Sequence, residues 1–137
     1  MPEIDIGDDV FVYRDSTSQM WRVQVKTSSA VVQANSEKFQ FRIREAQITT
    51  PANPQLHFVF AMRTGPTWKF LVVERGILHN YRQQNATFGT VHTKNGVNWV
   101  NLNISVWTTG IHAGQVRCSG VNLAHHLNDW DNAWPAI

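Results

Sequence analysis

Residues 5–29 read DIGDDVFVYRDSTSQMWRVQVKTSS, and the fold turns on how this stretch divides. Residues 10–13, VFVY, are β-branched and aromatic and read as a short strand. Asp15, Ser16, Thr17 and Ser18 are turn formers that would close a hairpin. From Met20 the chain alternates, with Trp21, Val23 and Val25 on one face and Arg22, Gln24 and Lys26 on the other. The expectation is an antiparallel hairpin of 10–13 with 20–26. Its apolar face would meet a core, and Arg22, Gln24 and Lys26 would lie on the exposed face.

Outward from this hairpin, residues 39–43 (FQFRI) alternate again and read as a third strand. Residues 44–50 suit a short helical turn stopped by Pro51 and Pro54. Two nearly continuous apolar runs, LHFVFAM at 56–62 and WKFLVV at 68–73, flank Thr64-Gly65-Pro66. They are expected to pair as a hairpin of central strands. Residues 76–84 read as a short helix, 85–96 as a polar loop and 97–107 (VNWVNLNISVW) as a half-buried strand. Residues 110–120 are irregular, and 122–130 (NLAHHLNDW) read as a closing helix with Asn122 as its N-cap. Strands dominate, so the predicted class is α+β: one domain over residues 1–137, with a mixed or antiparallel central sheet flanked by short helices.

Composition narrows the function classes. Apolar residues make up 42% and charged residues 16%, which places the chain among folded globular proteins rather than disordered ones. No apolar run approaches the roughly 20 residues a membrane helix needs. The opening MPEIDIGDDV is acidic and carries no signal-like apolar region. The only cysteine, Cys118, can form no internal disulfide, and a cytoplasmic location is the expectation. The net charge of +2 is unevenly spread. Residues 1–15 hold Glu3, Asp5, Asp8, Asp9 and Asp15 against Arg14, which leaves 11 bases and 5 acids in the rest. An acidic spot on a basic body suits a cation site facing a polyanion.

The hairpin carries the residues for such a site. Asp9 opens its first strand, and Gln24 and Lys26 share one face of the second. Phosphodiester hydrolysis needs a cation, oxygen ligands to hold it and a group that readies water. The Asp9 carboxylate and the Gln24 carbonyl suit Mg²⁺ or Mn²⁺, and Lys26 suits the water and the phosphate. The pattern D-x-G-x-D before one strand and V-Q-V-K-T on the next resembles the PD-(D/E)xK nuclease superfamily. It is closest to the Q-x-K subset that includes bacterial domains of the DUF4365 type. The segments FVFAMR (58–63) and WKFLVV (68–73) add to the likeness. The resemblance implies a restriction-endonuclease-like core, with Asp9 and Gln24 as metal ligands and Lys26 as the catalytic lysine. It also implies DNA, duplex in form, as the substrate, in bacterial defence or repair. That family carries a helix, often bearing a Glu, before its first core strand. Eight residues precede Asp9 here, so the expectation is that this helix is lost, replaced by another element or cut away, with Glu3 and Glu45 as candidate stand-ins for its Glu.

Arg22, Lys38, Arg42 and Arg44 are the predicted nucleic-acid contacts, with Arg63 and Lys69 as further candidates for a basic rim. Other chemistries find less support. His125 and His126, as helix neighbours about 100° apart, would not face one metal. C-x-x-C, H-E-x-x-H, phosphate-binding glycine motifs and the G-x-S-x-G elbow are all missing. Two other readings stay open. One is a catalytically degenerate nuclease fold that binds nucleic acid or a protein partner. The other is a β-rich subunit that assembles, as a homodimer or larger complex, through its tryptophans.

Overall fold

The computed structural model describes residues 9–14, 19–51 and 55–130, and of 9–14 and 19 the backbone alone. The elements in chain order are β1 (Asp9–Arg14), β2 (Gln19–Ser29), β3 (Val31–Val32), β4 (Ser36–Arg44) and α1 (Glu45–Thr49). They continue with β5 (Leu56–Thr64), β6 (Thr67–Glu74), α2 (Arg75–Gln84), β7 (Thr90–Lys94), β8 (Val97–Trp107), β9 (Val116–Cys118) and β10 (Val121–Asn122). A single 3-10 turn, Ala124–His126, follows. The chain is thus α+β, with strands in one mixed and one antiparallel sheet and few helices.

The first sheet has the order β1-β2-β5-β6. β1 and β2 pair antiparallel, as the sequence suggested, although the turn at 15–18 lies outside the described residues. β2 and β5 run parallel, so the chain must leave this sheet and return, and it does so through β3, β4 and α1. β5 and β6 form the expected hairpin around Gly65, whose φ of +56° suits glycine. The second sheet has the order β10-β9-β8-β4-β3, with β7 also pairing on β8.

The main core lies between the sheets. Phe39, Phe41 and Ile43 of β4, with Val100, Leu102 and Ile104 of β8, pack against Phe58, Phe60, Met62, Leu71 and Val73 of the first sheet. Ile48 of α1 and Leu78 of α2 join the same cluster. Buried Arg75 ties the two helices together by donating to the Ile48 carbonyl at 2.6 Å. On the reverse side of the first sheet Val23, Val59 and Val72 form a second, smaller cluster. β5 is therefore buried on both faces, which is why 56–62 carries no polar alternation. The sheets are joined at their edges too. The Ser28 hydroxyl accepts from the Gln40 amide at 3.1 Å, and the Thr64 hydroxyl donates to the Glu37 carboxylate.

Four sequence expectations need correction. Residues 85–96 are not all loop. 90–94 forms β7, paired to β8 through an Asn95-Gly96 turn with φ of +53° and +75°, a backbone Asn and Gly tolerate best. Residues 110–120 include β9, whose Val116 and Cys118 are buried in the main core. The expected helix at 122–130 is β10 followed by one 3-10 turn. Its Leu123 and Leu127 are spaced for a helix, but Leu127 instead bridges to Leu71 of β6, extending the sheet edge. Asn122 is not the N-cap either: it ends β10, Leu123 precedes the 3-10 turn without a side-chain cap bond, and the Asn122 side-chain oxygen accepts from the Ala124 amide at 3.1 Å as a local turn contact. The fourth correction concerns Gln24.

Candidate functional site

Asp9 stands directly opposite Gln24 in the β1–β2 register. Opposed positions of an antiparallel pair lie on one face of the sheet, so the backbone meets the first requirement of the predicted site. Lys26 follows two residues later and is half-buried. Gln24, however, is 0% exposed, not on an open face as expected. Its parallel partner on β5 is Phe58, a member of the main core. Arg22, Gln24 and Lys26 thus share a face with Leu56, Phe58 and Phe60, the face turned toward the second sheet. The alternation was read correctly, but both sides of β2 are covered. Glu3 lies outside the described residues. Glu45 pairs instead with Arg82 of α2 at 3.4 Å. Among the described residues no three His, Cys, Asp or Glu side chains converge as a metal set.

The predicted cations separate into two groups. Arg22 belongs to β2 in the first sheet. Arg63 packs over the Trp68 ring at 5.7 Å and donates to the Gly65 carbonyl, and Lys69 lies on β6. Lys38, Arg42 and Arg44 alternate along β4 in the second sheet, on the side away from the core. The register extends this face. Lys38, Gln40, Arg42 and Arg44 stand opposite Ser105, Asn103, Asn101 and Trp99 of β8. Ser105 in turn opposes Arg117 of β9. Asn101, Trp99 and Val97 oppose Thr90, His92 and Lys94 of β7. One sheet face therefore presents Lys38, Arg42, Arg44, Lys94 and Arg117 among neutral amides and hydroxyls, with no carboxylate at any described strand position on it. The Arg44 guanidinium lies 5.3 Å over the Trp99 ring, a cation–π contact.

Two cavities open beside these strands. A cleft of about 630 Å³ sits where β2 meets the edge of β4, lined by Ser28, Ser29, Lys38, Gln40, Asn103 and Ser105 among others. A smaller pocket of about 170 Å³ is lined by Thr87, Gly89, Thr90, Asn101, Asn103, Cys118 and Ser119. Burial pushes the Cys118 thiol up to about 12, so it contributes bulk rather than a thiolate. The amides and β7 were not singled out from sequence. The signal of the amides was the polar alternation N-x-N-x-S at 101–105, which any half-exposed strand shares.

A third cluster lies apart. The Tyr81 hydroxyl of α2 stands 2.8 Å from His126 Nε2 and 3.3 Å from His125 Nε2. The two imidazoles thus do approach one atom, because they sit in a 3-10 turn rather than an α-helix. Burial, with the neighbouring His125, lowers the His126 pKa to about 4, and Asp129 opposes this weakly. His126 is therefore a neutral structural group at neutral pH.

No helix among the described residues is long and apolar enough to cross a membrane. Compared with family models, curated proteins and solved structures, the chain gives no match in any of the three.

Proposed function

We propose that this chain binds nucleic acid through the outward face of its second sheet. The observation that carries the reading is the charge pattern of that face: Lys38, Arg42, Arg44, Lys94 and Arg117 with no described carboxylate among them. Such a surface neutralises phosphates and releases their counterions, which makes binding salt-dependent. The interspersed amides and hydroxyls supply hydrogen bonds to sugars and bases. Fluorescence anisotropy of a labelled DNA 20-mer against salt tests it. The expected result is binding at 50 mM NaCl that falls steeply by 200 mM. Absence of binding at 50 mM, or a curve flat in salt, overturns the reading and favours the assembly subunit.

A second reading, metal-dependent cleavage of DNA, is favoured by the opposed register of Asp9 and Gln24 with Lys26 two residues on. The four-stranded mixed sheet would then be a restriction-endonuclease-like core, Asp9 and Gln24 would hold Mg²⁺ or Mn²⁺, and Lys26 would steady the attacking water. The burial of Gln24 ranks this second, since a cation and a phosphate must reach it. Plasmid nicking with Mn²⁺ tests it. Asp9→Ala should abolish both nicking and metal binding, and Lys26→Ala should lose nicking alone. Folded wild-type protein that neither binds Mn²⁺ nor nicks overturns it, and leaves the binding reading untouched.

A further inference from the structure

We infer that the ligand of the basic face is a single strand of nucleic acid, one of whose bases enters the small pocket beside Asn101 and Asn103. This rests on the nucleic-acid reading above and goes beyond it in naming the form of the ligand. The sequence pointed to a duplex, and the geometry points away from one.

The first argument is width. At about 4.8 Å between strands, the path β10-β9-β8-β4-β3 spans roughly 19 Å. The major groove of a duplex is about 12 Å wide and admits a helix or a two-stranded ribbon, so this face cannot enter it. A broad sheet face can support an unpaired strand laid across it, with bases turned toward the protein.

The second argument is the division of charge. The cations lie on the open strands, while the 170 Å³ pocket has no charged residue in its lining, where Thr87, Thr90, Asn101, Asn103 and Ser119 offer neutral hydrogen-bonding groups beside Gly89 and Cys118. Phosphate would be drawn to the cations, and a neutral heterocycle suits the pocket. Its volume is on the order of five or six water molecules, comparable to one base. A paired base has its hydrogen-bonding edge occupied by its partner and cannot enter.

The third argument is an unmet bond. Asn101 Oδ1 is buried without a hydrogen-bond partner among the described residues. Buried amide oxygens are normally paired. A turn of this amide toward the pocket it lines would let it accept from the exocyclic amine of a base. Asn103, exposed and lining both cavities, bridges the pocket to the Lys38 cleft along which the backbone would run. At the far side Trp99, half-buried under Arg44 and opposite His92, offers a ring on which a neighbouring base can stack.

The test is anisotropy at 50 mM NaCl with labelled 20-nucleotide single-stranded DNA, single-stranded RNA and duplex DNA. The expected result is at least tenfold tighter binding of one single strand than of the duplex, and the two single-strand arms identify the sugar. Asn103→Ala, an exposed change that leaves the charge of the face unaltered, should weaken single-strand binding several-fold and duplex binding far less. Trp99→Leu, with its fold checked by thermal melting, should quench less on single-strand addition and bind several-fold more weakly. Salt-dependent binding with no strand preference, or with both variants unchanged, overturns this inference and leaves the basic-face reading standing. Failure to bind any of the three probes overturns both.

Discussion

Residues 22–26, RVQVK, and 38–42, KFQFR, have the same pattern of charge, apolar residue, glutamine, apolar residue and charge. Both form strands, yet Gln24 is 0% exposed and Gln40 is open to solvent. The difference lies in the neighbours rather than in the strands. β2 lies inside a sheet covered on both sides, so its polar residues face Phe58 and Phe60 while its valines join Val59 and Val72. β4 has one covered face, and its polar residues stay in water beside Asn101, Asn103 and Ser105. Alternation shows that two faces differ. It does not show what lies over either.

The largest effect that can break this comparison is a charge placed at each glutamine. Gln24→Glu buries a carboxylate and should destabilise the fold by about 3 kcal/mol or more, read as a lowered urea midpoint. Gln40→Glu should stay within about 0.5 kcal/mol. Equal effects would mean that the two environments are not different. Mn²⁺ sharpens the test. If it restores the Gln24→Glu midpoint but not that of wild type, a cation reaches this position and the cleavage reading gains weight.

The next largest effect concerns the open face. Lys38→Glu with Arg42→Glu reverses two of its charges and should weaken nucleic-acid binding at 50 mM NaCl by about ten- to a hundredfold and flatten the salt dependence. Stability should change by no more than about 0.5 kcal/mol, because both side chains are exposed. Unchanged affinity would remove the functional half of the comparison.

The smallest effect belongs to neither strand and serves as a control on pH. His126, held near 4 by burial beside Tyr81, resists protonation in the folded state more than in the unfolded state. The unfolded chain then binds more protons between about 6.5 and 4, so stability should fall as the solution is acidified through that window. Allowing for solvent screening, about 1–2 kcal/mol should separate pH 7 from pH 4.5. His126→Asn should remove that part of the slope, while Gln40→Glu should leave it in place. A wild-type slope identical to that of His126→Asn would show that the imidazole is not the group protonated.

The sequence by itself determined β1, β2, β4, β5, β6 and β8, the β1–β2 and β5–β6 pairings, both short helices and the α+β class, but not β3, β7, β9 or β10. Each follows from local physics: side-chain period, turn residues, and proline at the end of α1. It also showed β5 as a central strand, because an apolar run without alternation has no solvent face. What it could not show was which strand faces meet. The second sheet packs on the polar side of β2 as much as on its apolar neighbours, and this alone moved Gln24 from an expected open face to the interior. Pairing across long separations also joined Lys38 and Arg42 of β4 to Asn101 and Asn103 of β8 and to Lys94 and Arg117 beyond them. At 122–130 a leucine spacing suited to a helix was overridden because Leu127 had a sheet edge to join. Local preferences are worth tenths of a kcal/mol per residue, whereas burying an apolar side chain is worth about 1.5–3, so tertiary contacts decide wherever the two disagree.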